Sequence, residues 1–171
     1  MKLTTNVLII VAVLALCAGI VFLLAQPRPE VAKDFPPITA EDHTKGDVEG
    51  HVVLVEYLDF ECEACGAYYP IIKSLEKQFD KDITFVARYF PLPGHKNGLP
   101  AALAAEAAGR QGKFWEMHDL LFERQKEWGE KQVEAPEVFE AFAAELQLDM
   151  EKFRADVASA DVRARVQRDI D

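Results

Sequence analysis

Charge is absent from Leu3 to Gln26, and residues 7–25 read VLIIVAVLALCAGIVFLLA. As a helix this run would reach about 28 Å, close to the ~30 Å hydrocarbon core of a bilayer. Polar and proline-bearing sequence follows, with Pro27, Pro29, Pro36 and Pro37 between Gln26 and Gly50. That composition predicts an extended, semi-rigid linker. Val52 to Phe60 is an apolar run that predicts a mostly buried strand. Tyr68, Tyr69, Ile71, Ile72 and Leu75 then recur at helical spacing and predict a helix from Cys62 to Phe79, bent at Pro70. A second strand is predicted over Ile83–Phe90, ended by Pro91, Pro93 and Gly94. Everything from Pro100 onward reads as helix. One helix is alanine-rich (Ala101–Arg110), one runs from Phe114 to Trp128, and one starts near Pro136 and carries Val138, Phe139, Phe142 and Leu146. A shorter one holds Phe153 and Val157, and a last one holds Val162, Val166 and Ile170. Phe114, Trp115, Phe139 and Phe142 are expected in the core.

Where the first predicted strand passes into the first helix stands Cys62-Glu63-Ala64-Cys65. Two cysteines two residues apart at that junction can form a reversible disulfide. The first thiol is expected over the amides of the positive helix end, which favours the thiolate that attacks disulfides. A CxxC pair can also be half of a zinc site, which needs four ligands. No second cysteine pair exists outside the apolar run, and His43, His51, His95 and His118 show no paired-ligand spacing. No metal and no other cofactor is therefore expected; the cysteine pair is the reactive group.

The chain has 171 residues, enough for one globular domain with a real core, and a formal net charge of -10. That charge argues against a nucleic-acid partner. It also bears on topology. Lys2 precedes the apolar run and Arg28 and Lys33 follow it, so the positive-inside signal is weak. Residues 1–6 are placed in the cytoplasm and the acidic domain outside, where a disulfide persists. The expected organisation is a membrane anchor at 7–25, a linker at 26–50 and a globular domain at 51–171. A cleaved signal peptide and a lipid-modified Cys17 are the alternatives to an anchor; Leu23-Leu24-Ala25 fits a cleavage site poorly.

Residues 51–128 resemble the DsbA-like branch of the thioredoxin superfamily. The resemblance rests on Val55-Glu56-Tyr57-Leu58-Asp59-Phe60-Glu61-Cys62-Glu63-Ala64-Cys65, on Phe90-Pro91-Leu92 with His95, and on Gln111 to His118 with Leu121-Phe122. It implies a thioredoxin-like α/β fold with a helical insertion at about 100–171. It also implies protein disulfide oxidoreductase activity on exported proteins, recycled by a redox partner in the bacterial inner membrane. By position Cys62 resembles the exposed nucleophile, Cys65 the buried resolving thiol, and Glu56 the buried acid that shuttles a proton. Pairing of Glu56 with a nearby lysine, or its partial solvation, is the alternative. His95 is expected to be a loop histidine without a role.

Two departures shape the remaining expectations. Glu63 and Ala64 stand where strongly oxidising relatives carry proline and histidine. Glu61 and Glu63, expected to be solvated, flank Cys62 with like charge, which opposes the thiolate and makes the disulfide less oxidising. Glu63 and Ala64 are thus the poise-modulating residues, and a reductant of the same fold is an alternative. The family also has a cis-proline loop, a strand hairpin and a final helix after its insertion. No proline follows Pro136 and no strand-like run follows Phe90. The chain is expected to stop before that segment, leaving a two-stranded sheet with exposed edges. A catalytically inactive, membrane-anchored binding module is the alternative from another functional class.

Overall fold

The computed structural model describes residues 36–47 and 52–171, together with Val13, Ala15, Leu16, Ala18 and Gly19, which are helical. The expected span at 7–25 otherwise lies outside the described residues. Among those described, no helix is long and apolar enough to cross a membrane. The chain divides into a unit at Met1–Pro37 and a unit at Ile38–Asp171.

Three strands and seven helices build the second unit among the described residues: β1 (His43–Gly46), β2 (Val52–Leu58), α1 (Glu63–Phe79), β3 (Ile83–Tyr89), α2 (Gly98–Gly109), α3 (Phe114–Glu123), α4 (Gln125–Trp128), α5 (Pro136–Glu145), α6 (Met150–Val157) and α7 (Ala160–Ile170). The sheet order is β1-β3-β2. β2 runs parallel to β3 with Val52 opposite Ile83 and Leu58 opposite Tyr89. β1 runs antiparallel on the other side, with His43 opposite Ala87.

This arrangement corrects two expectations. The sheet has three strands, and the folded unit starts at Ile38 rather than His51, because the stretch expected to be linker supplies β1. His-Thr-Lys-Gly shows no apolar alternation, so the pattern could not reveal it. Side-chain contacts hold it instead. Asp42 takes a two-pronged bond from buried Arg88 (Nε–Oδ1 2.9 Å, Nη2–Oδ2 3.2 Å). His43 stacks on Phe114 at 3.5 Å, and Thr44 accepts a bond from the Trp115 indole (3.3 Å). β2 is not mostly buried either. It is an edge with one neighbour among the described residues, and Val52, Val53 and Tyr57 are 54%, 46% and 39% exposed. The buried strand is β3, between its two partners.

The core lies mainly beyond the sheet. Alanine-rich α2 is buried from Ala101 to Ala108, its small side chains admitting α3, α6 and α7 to close range. Phe114, Met117, Leu121, Phe139, Phe142, Phe153, Val162 and Val166 fill the space around it. Pro136 opens α5 as expected, and the structure adds two polar caps: the Asp149 carboxylate accepts the Lys152 amide (3.0 Å) and Ser159 Oγ the Val162 amide (3.1 Å). The helix expected over Phe114–Trp128 is broken at Arg124, whose φ of -112° and ψ of 20° end α3. The break turns Trp128 fully into the core and Gln125 toward the CxxC turn.

Candidate functional site

Asp59, Phe60 and Glu61 connect β2 to α1 in a tight turn closed by the Cys62 amide on the Asp59 carbonyl (3.1 Å). Cys62 is the N-cap of α1 with extended backbone (φ -69°, ψ 121°), and its carbonyl accepts the Gly66 amide (3.0 Å). The helix start places it where the sequence predicted. Its sulfur, however, makes no capping bond to the first-turn amides. The partner of Cys62 is Cys65, one turn on, and both thiols are free.

Both sulfurs are half-buried, but their surroundings differ. Burial pushes the Cys65 thiol up to about 11, and Cys62 and Glu56 add to the rise; the Asp59 amide, which faces the Cys65 sulfur, opposes it. Cys65 is therefore held as a neutral thiol. Glu56 shares a shallow groove of about 290 Å³ with Cys65, walled by Leu54, Val55, Tyr68 and Ile72. Burial, and then repulsion from Glu76, raise the Glu56 carboxyl above the ordinary carboxylate value. The lysines pair elsewhere: Lys45 and Lys73 reach Glu76 at 2.7 and 3.4 Å. No ion pair holds Glu56 among the described residues.

The neighbours of Cys62 in the chain, Glu61 and Glu63, help wall a cleft of about 580 Å³ together with Phe122, Glu123, Lys126 and Glu130. Glu63 is solvated, as expected, and its contact with Glu130 raises the latter's carboxyl. Ala64 is exposed. Glu61 departs from expectation. It is 1% exposed, and its carboxylate accepts the Asn97 amide at 2.6 Å. The position just before Cys62 cannot be solvated here, because the turn drives that side chain under the 92–98 loop.

Several residues of the site carry no motif. Gln125 Nε2 donates to the carbonyls of Phe60 (2.8 Å) and Cys62 (2.9 Å), crossing over Gly66, where a Cβ would collide with the Gln125 amide. Asn97, fully buried, donates to the carbonyls of Trp128 (3.4 Å) and Val133 (3.0 Å) and accepts the Ala135 amide (2.9 Å). Asp59 accepts from the amides of Glu61 (2.9 Å) and Leu92 (2.8 Å) and binds His95 Nδ1 at 2.5 Å. Only the position of Asp59 three residues before Cys62 could have drawn attention to it. No cluster of three metal-ligating side chains occurs among the described residues.

The family model described as thioredoxin matches residues 39–171. Over 161 residues the chain is 37% identical to a Na(+)/H(+) antiporter, NhaA 1, from Salinispora arenicola; the match takes in 94% of this chain and 22% of that protein. The chain thus spans about a fifth of the length of this curated relative. Among solved structures it is similar to a thioredoxin-like oxidoreductase from Silicibacter pomeroyi (TM-score 0.64, 26% identity, 77% of this chain and 72% of that one). It also shares the fold of alpha-DsbA1 from Wolbachia pipientis (TM-score 0.68, 17% identity, 86% and 69%).

Proposed function

This chain belongs to the thioredoxin family, in its DsbA-like part, and from that premise we propose that it exchanges thiols and disulfides with exported proteins through Cys62 and Cys65. The observation that carries the reading is the asymmetry of the pair: Cys62 stands at the start of a helix, between two residues that wall a cleft, and Cys65 is a neutral thiol that shares a groove with the half-buried Glu56. In the oxidising direction a substrate thiolate attacks Cys62. The Cys62–Cys65 bond breaks, a mixed disulfide forms, and Cys65 leaves with a proton. In the reducing direction Cys65 gives up that proton, attacks the mixed disulfide at Cys62 and releases the substrate thiol. Glu56 is the group placed to give or take the proton. Residues 7–25 tether the domain to the outer face of the inner membrane, and a membrane protein recycles the pair.

Brief iodoacetamide treatment of the reduced chain at neutral pH, followed by mass spectrometry, tests the asymmetry. Cys62 is expected to carry the label and Cys65 to stay unmodified, since a thiol held at about 11 offers little thiolate. Preferential labelling of Cys65 would overturn the roles.

Glu56→Gln separates proton transfer from mere charge. As a base, Glu56 should be worth about a hundredfold in the step in which Cys65 resolves a mixed disulfide at pH 7. The deficit should shrink as pH climbs toward the Cys65 value of about 11, where solvent alone ionises the thiol. If Glu56 acted only through its charge, removing it would ease ionisation of Cys65, and the variant would be faster.

A second reading follows from the antiporter relative. A domain that aligns over 94% of this chain within a protein named as a Na(+)/H(+) antiporter suggests a redox module serving a transport protein. The identity of the trapped partner, discussed below, separates the two.

A further inference from the structure

Resting on the thiol–disulfide reading above, we propose that Asp59 and His95 form a charge-compensated pair that sets the redox poise of Cys62 and Cys65, with Asp59 as the positioning residue and His95 acting through it. Asp59 touches both cysteines by its backbone. Its carbonyl accepts the Cys62 amide at 3.1 Å, and its own amide faces the Cys65 sulfur. Its carboxylate, only 1% exposed, is directed away from solvent and into the 92–98 loop. There it meets the Leu92 amide at 2.8 Å and His95 Nδ1 at 2.5 Å, while its other oxygen takes the Glu61 amide at 2.9 Å. The fit is close: a Cβ on Gly98 would lie 2.8 Å from Asp59 Oδ1.

A buried carboxylate one turn from a reactive thiol is an electrostatic liability for the thiolate. Polar partners reduce it, and His95, 30% exposed at the rim, is the one partner able to bring a full positive charge. Removing the two members should therefore shift the couple in opposite directions. His95→Leu leaves the carboxylate short of its compensation, so the reduced form loses stability and the disulfide becomes less oxidising. Asp59→Asn removes the charge and keeps the shape, so the reduced form gains and the disulfide becomes more oxidising. A pair that merely braced the loop would shift both variants the same way or neither.

The test is equilibration of the full chain with glutathione buffers at pH 7. In each cycle two glutathione thiols supply two electrons and two protons; the Cys62–Cys65 bond breaks and the glutathione disulfide forms. A fall of about tenfold in the equilibrium constant for reduction is expected for His95→Leu and a rise of similar size for Asp59→Asn, each worth ~30 mV. In the double variant, loss of His95 should add nothing to Asp59→Asn. His95→Lys, which restores a cation, should return toward the native value, and this arm decides the matter if Asp59→Asn does not fold. Equal-signed shifts, unchanged potentials, or a His95→Lys variant as displaced as His95→Leu would overturn the inference while leaving the exchange reading intact. A native chain with no reversible couple would overturn both.

Discussion

Cys65→Ser is expected to accumulate as mixed disulfides through Cys62, and Cys62→Ser to fall to the uncatalysed rate of exchange. Cys62 stands at the helix start between two residues that wall the cleft, and under the proposed exchange it is the sulfur that substrate meets first. Resolution then requires a second thiol close by, and among the described residues Cys65, one helical turn on, is the one the fold supplies. A serine there is near-isosteric but forms no S–S bond, so the adduct persists. Cys62→Ser removes the attacking atom itself, and the half-buried, neutral Cys65 cannot replace it. Non-reducing electrophoresis with mass spectrometry reads the adducts. Trapped exported proteins favour the general exchange reading; a transport protein as the dominant adduct favours the redox-module reading. Adducts on Cys62→Ser in place of Cys65→Ser would reverse the assignment.

Asn97→Ala is expected to cost about 3 kcal/mol, read as a melting point lowered by about 10 °C. Asn97 is fully buried and ties the 128–135 segment to the start of α2 through three side-chain bonds. Alanine would leave the amide of Ala135, itself 4% exposed, without its acceptor and two carbonyls without their donor. A buried polar group stripped of its partner loses its desolvation free energy with no return, about 1–3 kcal/mol each. The Asn97 amide would still reach Glu61, so the loss is confined to the side chain. Thermal and denaturant unfolding measure it; a loss under about 1 kcal/mol would mean that water enters and replaces the amide. The same variant loosens a wall of the cleft beside Cys62, since Gly129 and Glu130 belong to both.

Much of the framework was legible from local pattern. β2, α1 and β3 fall within two residues of their expected limits, because apolar periodicity and the closing prolines act over a few residues at a time. The CxxC pair was legible because chemistry and spacing coincide at a strand-to-helix junction. Glu56 beside Cys65 was foreseen only through the family resemblance. The polar ring around the cysteines was not foreseen. Asp59 and His95 are 36 residues apart, Glu61 and Asn97 likewise, and Gln125 meets Cys62 across 63. Each is an ordinary polar letter until its partner is near.

By itself the sequence determined the thioredoxin-like strand–CxxC–helix unit, the alanine-rich helix, and the proline that starts the helix at Pro136. These follow from backbone sterics and side-chain period, which need no distant partner. Only the tertiary structure decided that a polar tetrapeptide becomes β1, that β2 is the edge and β3 the centre, and that Glu61 is buried where its neighbour Glu63 is solvated. It alone made Cys65 a neutral thiol beside Glu56. The physical reason is common to all four. Burial changes the free energy of a polar or charged group by an amount set by what stands opposite it, and the chain brings those partners together only when the whole fold has formed.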